Sequence, residues 1–232
     1  MTKAILLDIE GTTTPVDFVH KVLFPYSRER IGNFVATHFD HLRHEIEELV
    51  DESSHDDTYT IPVDPLEPGS VSTYLEHLID HDRKSTPLKS IQGKIWQDGY
   101  ANGELKSVVY DDVLPAFKRW KENDITLAIY SSGSELAQRQ LFAHTNHGDL
   151  TGYLSSYFDT TVGGKREEQS YKNIAEELST APGEVLFLSD ITEELDAALT
   201  AGMRTFQIIR EEAAGTDAAR HRQATSFDEI RD

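Results

Sequence analysis

The sequence has no cysteine, few basic residues and no long apolar run. Without cysteine, the 232-residue chain can form no disulfide, thiol nucleophile or cysteine-ligated metal site. Its 22 lysines and arginines face 41 aspartates and glutamates, and the formal charge of −19 disfavours nucleic acid and anionic membrane as partners. No apolar run approaches the roughly 18 residues of a membrane span, and no secretory signal pattern is present. We therefore expect a cytoplasmic protein that binds neither nucleic acid nor membrane.

Short apolar runs alternate with helical patterns in the second half of the chain. A chain of 232 residues can build one main domain plus a modest insertion. The runs with a buried-strand pattern are Ala4–Leu7, Ile125–Tyr130, Phe158–Val162 and Val185–Leu188. Strands that alternate with helices indicate a parallel sheet with right-handed crossovers. The sequence thus predicts an α/β fold with a Rossmann-like, doubly wound parallel sheet.

Only helical patterns occur between the first two of these strands. They cover about 19–39, 41–51, 71–82 and 85–105. A helical insertion at this place is expected to act as a lid that excludes water from a site at the strand ends. We therefore assign residues 1–16 and 109–232 to a catalytic core, and residues 17–108 to an α-helical cap inserted after the first strand.

Two carboxylates directly follow the first predicted strand. Asp8 and Glu10 lie two positions apart, so an extended backbone would point them roughly the same way. The carboxyl ends of strands are where open α/β sheets bind ligands. An aspartate there can attack phosphorus, while a neighbouring acid protonates the leaving oxygen and later takes a proton from water. The structural alternative is that acids and threonines end a strand by bonding their own turn.

Hydroxyls and a lysine follow the next two predicted strands. Ser131 and Ser132 precede a helical pattern, and a helix N-terminus offers amide donors and a partial positive charge to a phosphate. The structural alternative for these serines is an N-cap. Lys165 follows a pair of glycines and could neutralise a phosphate oxygen as a point charge. Its structural alternative is a solvated surface lysine.

The strand at 185–188 again ends at an acid. Asp190 can complete a magnesium site with Asp8, because magnesium prefers oxygen ligands and is typically held by one or two carboxylates, waters and substrate phosphate. Glu194 is a candidate to support this site from behind the direct ligands. Its structural alternative is a first-turn acid that stabilises a helix N-terminus.

Taken in order, these residues resemble the motifs of the haloacid dehalogenase superfamily of phosphotransferases. The pattern is Asp-x-Glu, then Ser-Ser after a strand, then Lys, then Ser-Asp after a strand. The resemblance implies a phosphoryl-accepting nucleophile, a general acid and base, and one Mg²⁺ per subunit. The implied roles are Asp8 as nucleophile, Glu10 as acid and base, Ser131, Ser132 and Lys165 on the phosphate, Asp8, Glu10 and Asp190 on the metal, and Glu194 in support.

The second acid differs from the aspartate that the superfamily phosphatases usually carry. With Glu10 in place, the segment Leu7–Pro15 closely resembles the opening of the enolase-phosphatases of methionine salvage. That resemblance implies a bifunctional enzyme, an acireductone synthase, that enolises 2,3-diketo-5-methylthiopentyl-1-phosphate and removes its phosphate. The product would be the acireductone 1,2-dihydroxy-3-keto-5-methylthiopentene. The enolisation base stays open between Glu10 and a residue of the inserted segment.

The residues by themselves leave three other functions open. A cap-bearing magnesium phosphatase could act on another small phosphoester without enolisation. A receiver-type phosphoacceptor signalling module also gathers acids, a hydroxyl and a lysine around magnesium, but an insertion of about ninety residues fits it poorly. A catalytically silent protein could bind phosphorylated metabolites. Our expected partner is a small phosphorylated metabolite, and we expect the chain to be a monomer.

Overall fold

A single sheet organises the part of the chain that the structure describes. The computed structural model describes residues 1–210 and 220–230. Within these ranges the strands are β1 (Ala4–Leu7), β2 (Thr126–Tyr130), β3 (Ser156–Phe158), β4 (Val185–Ser189), β5 (Arg204–Ile208) and β6 (Arg222–Ala224). Their order across the sheet is β3-β2-β1-β4-β5-β6, and every neighbouring pair is parallel. Parallel strands require crossover connections, which helices supply.

Four of the α-helices in the described ranges begin at a side-chain cap or with a proline in the first turn. Ser85 Oγ accepts a hydrogen bond from Leu88 N at 3.3 Å, and Ser134 Oγ accepts one from Ala137 N at 3.3 Å. Proline, which is tolerated in the first helical turn, is the first or second residue of three of the α-helices. In the described ranges the α-helices are α1 (Val16–Phe18), α2 (Phe24–His38), α3 (Arg43–Ser54), α4 (Pro68–Asp80), α5 (Thr86–Ala101), α6 (Val113–Glu122), α7 (Glu135–Ala143), α8 (Glu168–Glu177) and α9 (Thr192–Thr200).

The central strand β1 is apolar throughout because helices cover both faces of the sheet. Ile5 and Leu7 of β1 pack in a core cluster with α6 and α7, whereas Ala4 and Leu6 pack in a second cluster with α8 and α9. All four side chains of β1 are fully buried. This explains why the strand reads as a continuous apolar run rather than as an alternating one. The predicted fold class, a doubly wound parallel α/β sheet with a helical insertion, is confirmed.

The predicted strand at Phe158–Val162 is wrong for most of its length. β3 ends at Phe158, and Asp159 Oδ1 accepts hydrogen bonds from Thr161 N at 2.9 Å and Thr161 Oγ1 at 2.6 Å. An aspartate that bonds the backbone two residues on forms a turn, and this competes with strand pairing. The patterns also missed β5 and β6, since β5 carries arginine, threonine and glutamine at half-buried positions.

The chain divides into two compact units. One comprises Met1–Phe18 and Lys106–Asp232 and holds the sheet, and the other is Val19–Leu105. Residues 211–219 and 231–232, which belong to the predicted core, lie outside the described ranges. None of the helices in the described ranges has the length and apolar character needed to cross a membrane.

The helical unit Val19–Leu105 has an apolar core of its own. It begins with a π-helix at Val19–Leu23, after which α2 packs on α4 and α5, and α3 packs on α5. Arg28 of α2 forms a bidentate pair with Asp80 of α4, with distances of 2.8 Å and 3.0 Å, but both side chains are partly exposed. Exposed pairs contribute little to stability. Apolar packing therefore holds this unit together, through side chains that include Ile31, Val35, Leu49, Val71, Tyr74, Leu75 and Ile91.

A buried ion pair in the sheet-bearing unit anchors the turn that follows β1. Arg210 donates from Nε and Nη2 to the Thr12 carbonyl oxygen, at 3.0 Å and 2.8 Å, and from Nη1 to Asp112 Oδ2 at 2.6 Å. The guanidinium carbon lies 4.3 Å from the ring centroid of Tyr110 and 4.5 Å from that of Phe227. The planar group thus joins three separate chain segments. A lysine could not replace it, because an ammonium group is a point charge without the planar set of donors.

Replacing Asp112 with asparagine should lower the free energy of unfolding by about 3 kcal/mol at pH 7, because the buried Arg210 loses its counter-charge. Burial alone would raise the pKa of Asp112, but hydrogen bonds from Arg210 and the Phe227 amide outweigh burial and lower it. A lowered folded-state pKa gives stability that is complete above the unfolded value of about 3.9 and is lost as the pH falls through the folded value. Urea unfolding at pH 7, 5 and 3.5 checks both the size and this direction.

The matched control for this prediction is Asp228→Asn. Asp228 is exposed, and its pair with Arg119 spans 3.6 Å, so its loss should change the free energy of unfolding by less than about 0.5 kcal/mol. Equal losses in the two variants, or an Asp112→Asn deficit that persists undiminished at pH 3.5, would contradict the role of the buried pair.

Candidate active site

The candidate residues lie at the carboxyl ends of adjacent strands. Asp8 follows β1, Ser131 follows β2 and Asp190 follows β4, and β1 lies between the other two strands. The chain builds the sheet outward from β1 through β2 to β3 and then crosses to β4 on the other side of β1. The strand order therefore reverses between β1 and β4, and such a switch point is where open α/β sheets form a ligand crevice.

A tight turn after β1 presents the first acid. The amides of residues 12, 13 and 14 all donate to the Ile9 carbonyl oxygen, at 3.2, 2.9 and 2.9 Å. Gly11 has a φ of +68°, and a Cβ atom there would lie 2.3 Å from Asp190 Oδ2. Glycine is thus required twice, by the left-handed backbone and by the close approach of a carboxylate. The threonines do bond their own turn, as the structural alternative expected, yet they do so around a buried carboxylate.

Asp8 is 4% exposed and surrounded by donors. Its Oδ1 accepts hydrogen bonds from Ile9 N at 2.7 Å and Lys165 Nζ at 2.6 Å, and its Oδ2 accepts one from Ser189 Oγ at 3.3 Å. The carboxylate is therefore held in one orientation at the end of β1. Buried carboxylates persist only where such partners compensate for lost hydration.

Lys165 is buried rather than solvated, which excludes its structural alternative. Only 12% of its side chain is exposed, and Nζ lies 2.6 Å from Asp8 and 2.7 Å from Glu194 Oε2. Burial alone would lower the pKa of Lys165, but the charges of Asp8 and Glu194 outweigh it and raise the pKa. The ammonium group therefore stays charged and acts as a fixed positive point beside Asp8.

Glu194 stands in the first turn of α9 and also reaches the site. Its Oε2 lies 3.2 Å from Ser189 Oγ, whose single hydroxyl proton it shares with Asp8, and it also pairs with Lys165. Burial, followed by the negative charge of Asp8, raises the pKa of Glu194. Glu194 is thus a first-turn acid of α9 that also contacts Lys165 and Ser189, and its assignment to the support of a metal site stays a prediction.

Asp190 carries the feature that fits a metal ion. Its Oδ1 is buried and has no hydrogen-bond partner among the described residues. Burial, and then the charge of Asp8, raises the pKa of Asp190 to about 7. A hard divalent cation would satisfy such an oxygen and offset the repulsion between two neighbouring carboxylates. The donor set of Asp8 and Asp190 therefore fits magnesium.

No ready-made metal cluster of three His, Asp or Glu side chains occurs in the described ranges. Two carboxylates remain compatible with magnesium, which usually keeps several waters and takes substrate phosphate as a further ligand. The backbone of Glu10 forms an isolated β-bridge with that of Thr14 in the turn, and Glu10 is partly exposed. Its assignment as a third metal ligand, and as the general acid and base, stays a prediction.

The serines after β2 form the N-terminal loop of α7. Ser134 is the N-cap, whereas Ser131 is 5% exposed and its Oγ accepts a hydrogen bond from Gly133 N at 3.3 Å. Gln138 Nε2 donates to the carbonyl oxygens of Gly133 and Phe158, both at 2.8 Å, and so fastens this loop to β3. The capping role therefore falls to Ser134, and the assignment of Ser131 and Ser132 to a phosphate stays a prediction.

Comparison with known proteins identifies the family. A family model described as a hydrolase, haloacid dehalogenase-like hydrolase, matches residues 2–202. Enolase-phosphatase E1 of Citrobacter koseri is 47% identical over 232 residues, which cover 99% of this chain and 97% of the relative. Enolase-phosphatase E1 of Synechococcus elongatus is 48% identical over 240 residues, which cover 97% of this chain and 96% of the relative. The chain belongs to the enolase-phosphatase E1 family of haloacid dehalogenase-like hydrolases.

Solved structures share the fold of this enolase-phosphatase E1 family member. The UTR4 protein of Saccharomyces cerevisiae matches with a TM-score of 0.77 and 31% identity, and the match covers 99% of this chain and 100% of the UTR4 chain. CbbY from Rhodobacter sphaeroides in complex with phosphate matches with a TM-score of 0.61 and 18% identity, covering 99% and 96%. The second likeness shows the fold alone. The family resemblance that the sequence motifs carried is confirmed.

Three structural residues of this enolase-phosphatase family member escaped the sequence interpretation. Arg210 holds the turn after β1, Gln138 holds the loop after β2, and Gly11 admits Asp190. A glycine directly after Asp-x-Glu is a visible turn signal that could have been read. An arginine about 200 residues away from the turn and a glutamine inside a helix give no local signal of their contacts.

Proposed function

We propose that the protein converts 2,3-diketo-5-methylthiopentyl-1-phosphate to the acireductone 1,2-dihydroxy-3-keto-5-methylthiopentene and phosphate. The observation that carries the proposal is the buried Asp8, held 2.6 Å from Lys165 beside a second carboxylate whose Oδ1 has no partner among the described residues. The full-length likeness to enolase-phosphatase E1 proteins supports the substrate. The unit with the sheet is the catalytic core and Val19–Leu105 is its cap. We place the enzyme in the cytoplasm, as a monomer.

Enolisation comes first and moves a proton from the carbon that bears the phosphate ester to the neighbouring carbonyl oxygen, which gives the enol phosphate. Asp8 carries the first step of phosphoryl transfer, which follows. A carboxylate oxygen of Asp8 attacks phosphorus, the ester P–O bond breaks, and its electron pair goes to the leaving enol oxygen, which takes a proton from Glu10. Lys165 places a positive charge beside Asp8, where the transferring group gains negative charge. The product of this step is an aspartyl-phosphate on Asp8 and a free enol.

The second step regenerates the enzyme. Glu10, now a carboxylate, takes a proton from water, the resulting oxygen attacks phosphorus, and the bond to Asp8 breaks. Phosphate leaves and Asp8 returns to its contacts with Lys165 and Ser189. One acid thus serves both half-reactions in opposite directions.

Asp8 and Asp190 would hold the magnesium ion through their carboxylates. Glu10 would be a further ligand through its backbone carbonyl oxygen, which leaves its carboxyl group free to carry the proton. When bound, the ion supplies positive charge to the phosphoryl oxygens and orients the substrate. Lys165 and the helix N-terminus after β2 supply further attraction for the phosphate at short range. At long range, the formal charge of −19 repels a phosphate ester. Binding of the substrate therefore depends on these nearby positive groups rather than on the net charge of the protein.

The decisive experiment gives the purified protein magnesium and the diketo phosphate ester under anaerobic conditions. Enol absorbance and inorganic phosphate are followed in parallel, with a generic phosphate monoester as the comparison substrate. We expect the enol to appear before phosphate. Phosphate release from generic esters, but not from this one, would leave a cap-bearing phosphatase of another small phosphoester. No phosphate from any ester would favour a silent binding protein.

Gly11→Ala should raise the magnesium concentration needed for half-maximal phosphatase activity by about 10–100-fold. The added Cβ would lie 2.3 Å from Asp190 Oδ2, so the carboxylate must move away from its present position. The positive φ adds a backbone penalty of about 1–2 kcal/mol, which lowers stability independently. Magnesium titrations of activity, together with thermal unfolding, separate the two effects.

Gly148→Ala is the matched control for this substitution. Gly148 also has a positive φ, +87°, but a Cβ atom there would meet nothing within 4 Å. It should lose similar stability while its magnesium dependence stays that of the parent. An identical magnesium dependence in all three proteins would show that Asp190 does not bind the ion in the position described.

A further inference from the structure

Three buried hydroxyls hold the loop that carries Lys165. The carbonyl oxygens of residues 163–165 each accept a hydrogen bond from a side chain, namely from Tyr130 OH at 2.9 Å, Ser170 Oγ at 2.8 Å and Tyr171 OH at 2.6 Å. Tyr130 and Tyr171 are fully buried, and Ser170 is 1% exposed. Three consecutive carbonyls of the loop are thus bonded by side chains, and the middle one, at residue 164, also accepts a backbone hydrogen bond from Glu167 N at 3.0 Å.

The donors sit on rigid elements. Tyr130 ends β2, and the other two stand in the first turn of α8. The rings of Tyr130 and Tyr171 pack edge to face, with centroids 5.5 Å apart and an interplanar angle of 81°. A hydroxyl buried among apolar groups is costly unless it is bonded, so each hydrogen bond to the loop is strongly favoured in this position. The loop is therefore fixed to the sheet on one side and to a helix on the other.

The protonation of the tyrosines keeps them donors. Burial raises the pKa of Tyr130 to about 12 and raises the pKa of Tyr171 further. The loop also packs closely on its helix, since a Cβ atom at Gly163, where φ is +137°, would lie 2.1 Å from Ser170 Oγ. Two glycines would leave the loop free to adopt many conformations without these contacts.

The third bonded residue of the loop is Lys165 itself. Its Nζ must stay within hydrogen-bond distance of both Asp8 and Glu194, at 2.6 Å and 2.7 Å, and it lies 5.8 Å from the ring centroid of Tyr130. We propose that Tyr130, Ser170 and Tyr171 form a hydroxyl clamp that positions Lys165 for phosphoryl transfer. These are positioning residues that act through the lysine, and the inference rests on the proposed role of Lys165.

The size of the effect follows from the sensitivity of catalysis to placement. A shift of about 1 Å in a group that acts on the transition state can cost about 10²-fold in rate. Removal of the lysine charge should cost about 10²–10³-fold, as for other preorganised electrostatic donors. Loss of one clamp hydroxyl should fall below this limit, because the other two still hold the loop.

The test is a double-mutant cycle with Tyr171→Phe and Lys165→Met. Tyr171→Phe removes only the hydroxyl, and it should lower kcat/KM for the phosphate ester by about 10–100-fold in the parent. In the Lys165→Met background the same change should cost less than about 2-fold, because there is no ammonium group left to position. A merely structural tyrosine would cost the same factor in both backgrounds.

Tyr157→Phe is the matched control. Tyr157 is a buried tyrosine on β3 of the same sheet, and its hydroxyl has no hydrogen-bond partner among the described residues. Its kcat/KM should stay within about 2-fold of the parent. Thermal unfolding of every variant shows whether the fold is intact. Ser170→Ala, which removes the side-chain donor to residue 164, replaces Tyr171→Phe in the cycle if the latter does not fold.

Two results would overturn the clamp. One is an equal loss on Tyr171→Phe with and without Lys165, and the other is a folded Tyr171→Phe and a folded Ser170→Ala that both keep the parent kcat/KM. A Lys165→Met enzyme with parent activity would contradict the proposed role of Lys165 and remove the reason for the clamp. That result is distinct, because it appears in the single lysine variant before any clamp residue is changed.

Discussion

Phosphate release from the diketo phosphate ester falls by about 10⁴-fold or more in Asp8→Asn, because an amide cannot attack phosphorus to form the covalent intermediate. The loss corresponds to about 5.4 kcal/mol of activation free energy. Enolisation is a proton transfer from carbon and needs no phosphoryl acceptor. The enol of the intact phosphate ester should therefore accumulate in the variant, and its absorbance should rise under anaerobic conditions while inorganic phosphate stays at background.

The control for Asp8→Asn is Asp149→Asn. Asp149 lies in an exposed turn, where its Oδ1 accepts hydrogen bonds from Thr151 N at 2.8 Å and Thr151 Oγ1 at 2.6 Å. It should release phosphate at the parent rate. Phosphate release by a folded Asp8→Asn at a comparable rate would contradict the covalent route. Loss of both the enol and the phosphate signals, with the fold intact, would show that Asp8 is needed before phosphoryl transfer begins.

The two candidate carboxylates could be placed from sequence because topology constrains them. In a parallel sheet every strand ends at the same edge, so Asp8 after β1 and Asp190 after β4 had to come together once the strands were recognised. The position of Lys165 follows less directly. It comes from a loop after β3, whose predicted strand was too long, and its burial depends on Asp8 and Glu194 converging on one ammonium group.

Contacts made by side-chain termini could not be predicted at all. Tyr171 lies on the buried face of α8 and looks like an apolar core residue, yet its hydroxyl bonds the backbone of Lys165. Arg210 follows β5, a strand that the patterns missed, and its guanidinium donates to the Thr12 carbonyl oxygen. Helical and strand periodicity report which face of an element is buried, but they do not report where the last polar atom of a long side chain points.

Glu10→Gln should lower steady-state phosphate release by about 10²–10⁴-fold, or about 3–5 kcal/mol, because glutamine keeps the size of the side chain but cannot transfer a proton. The two half-reactions should respond differently to the leaving group. An aryl phosphate leaves without an acid, so its transfer to Asp8 should stay fast, whereas hydrolysis of the aspartyl-phosphate still needs a base. Rapid-quench measurements should then show a burst of one equivalent of phenol per enzyme and a trapped acyl phosphate.

Glu184→Gln supplies the control for this variant. Glu184 precedes β4 at the amino end of the parallel strands, and it pairs with Lys3 at 2.9 Å on the surface. A folded Glu10→Gln without a burst, and with turnover like that of Glu184→Gln, would remove Glu10 from the acid and base role. Enol formation in Glu10→Gln also decides the open question of the enolisation base. If it falls together with hydrolysis, one carboxylate serves carbon and oxygen alike; if it persists, the base belongs to the inserted helical unit.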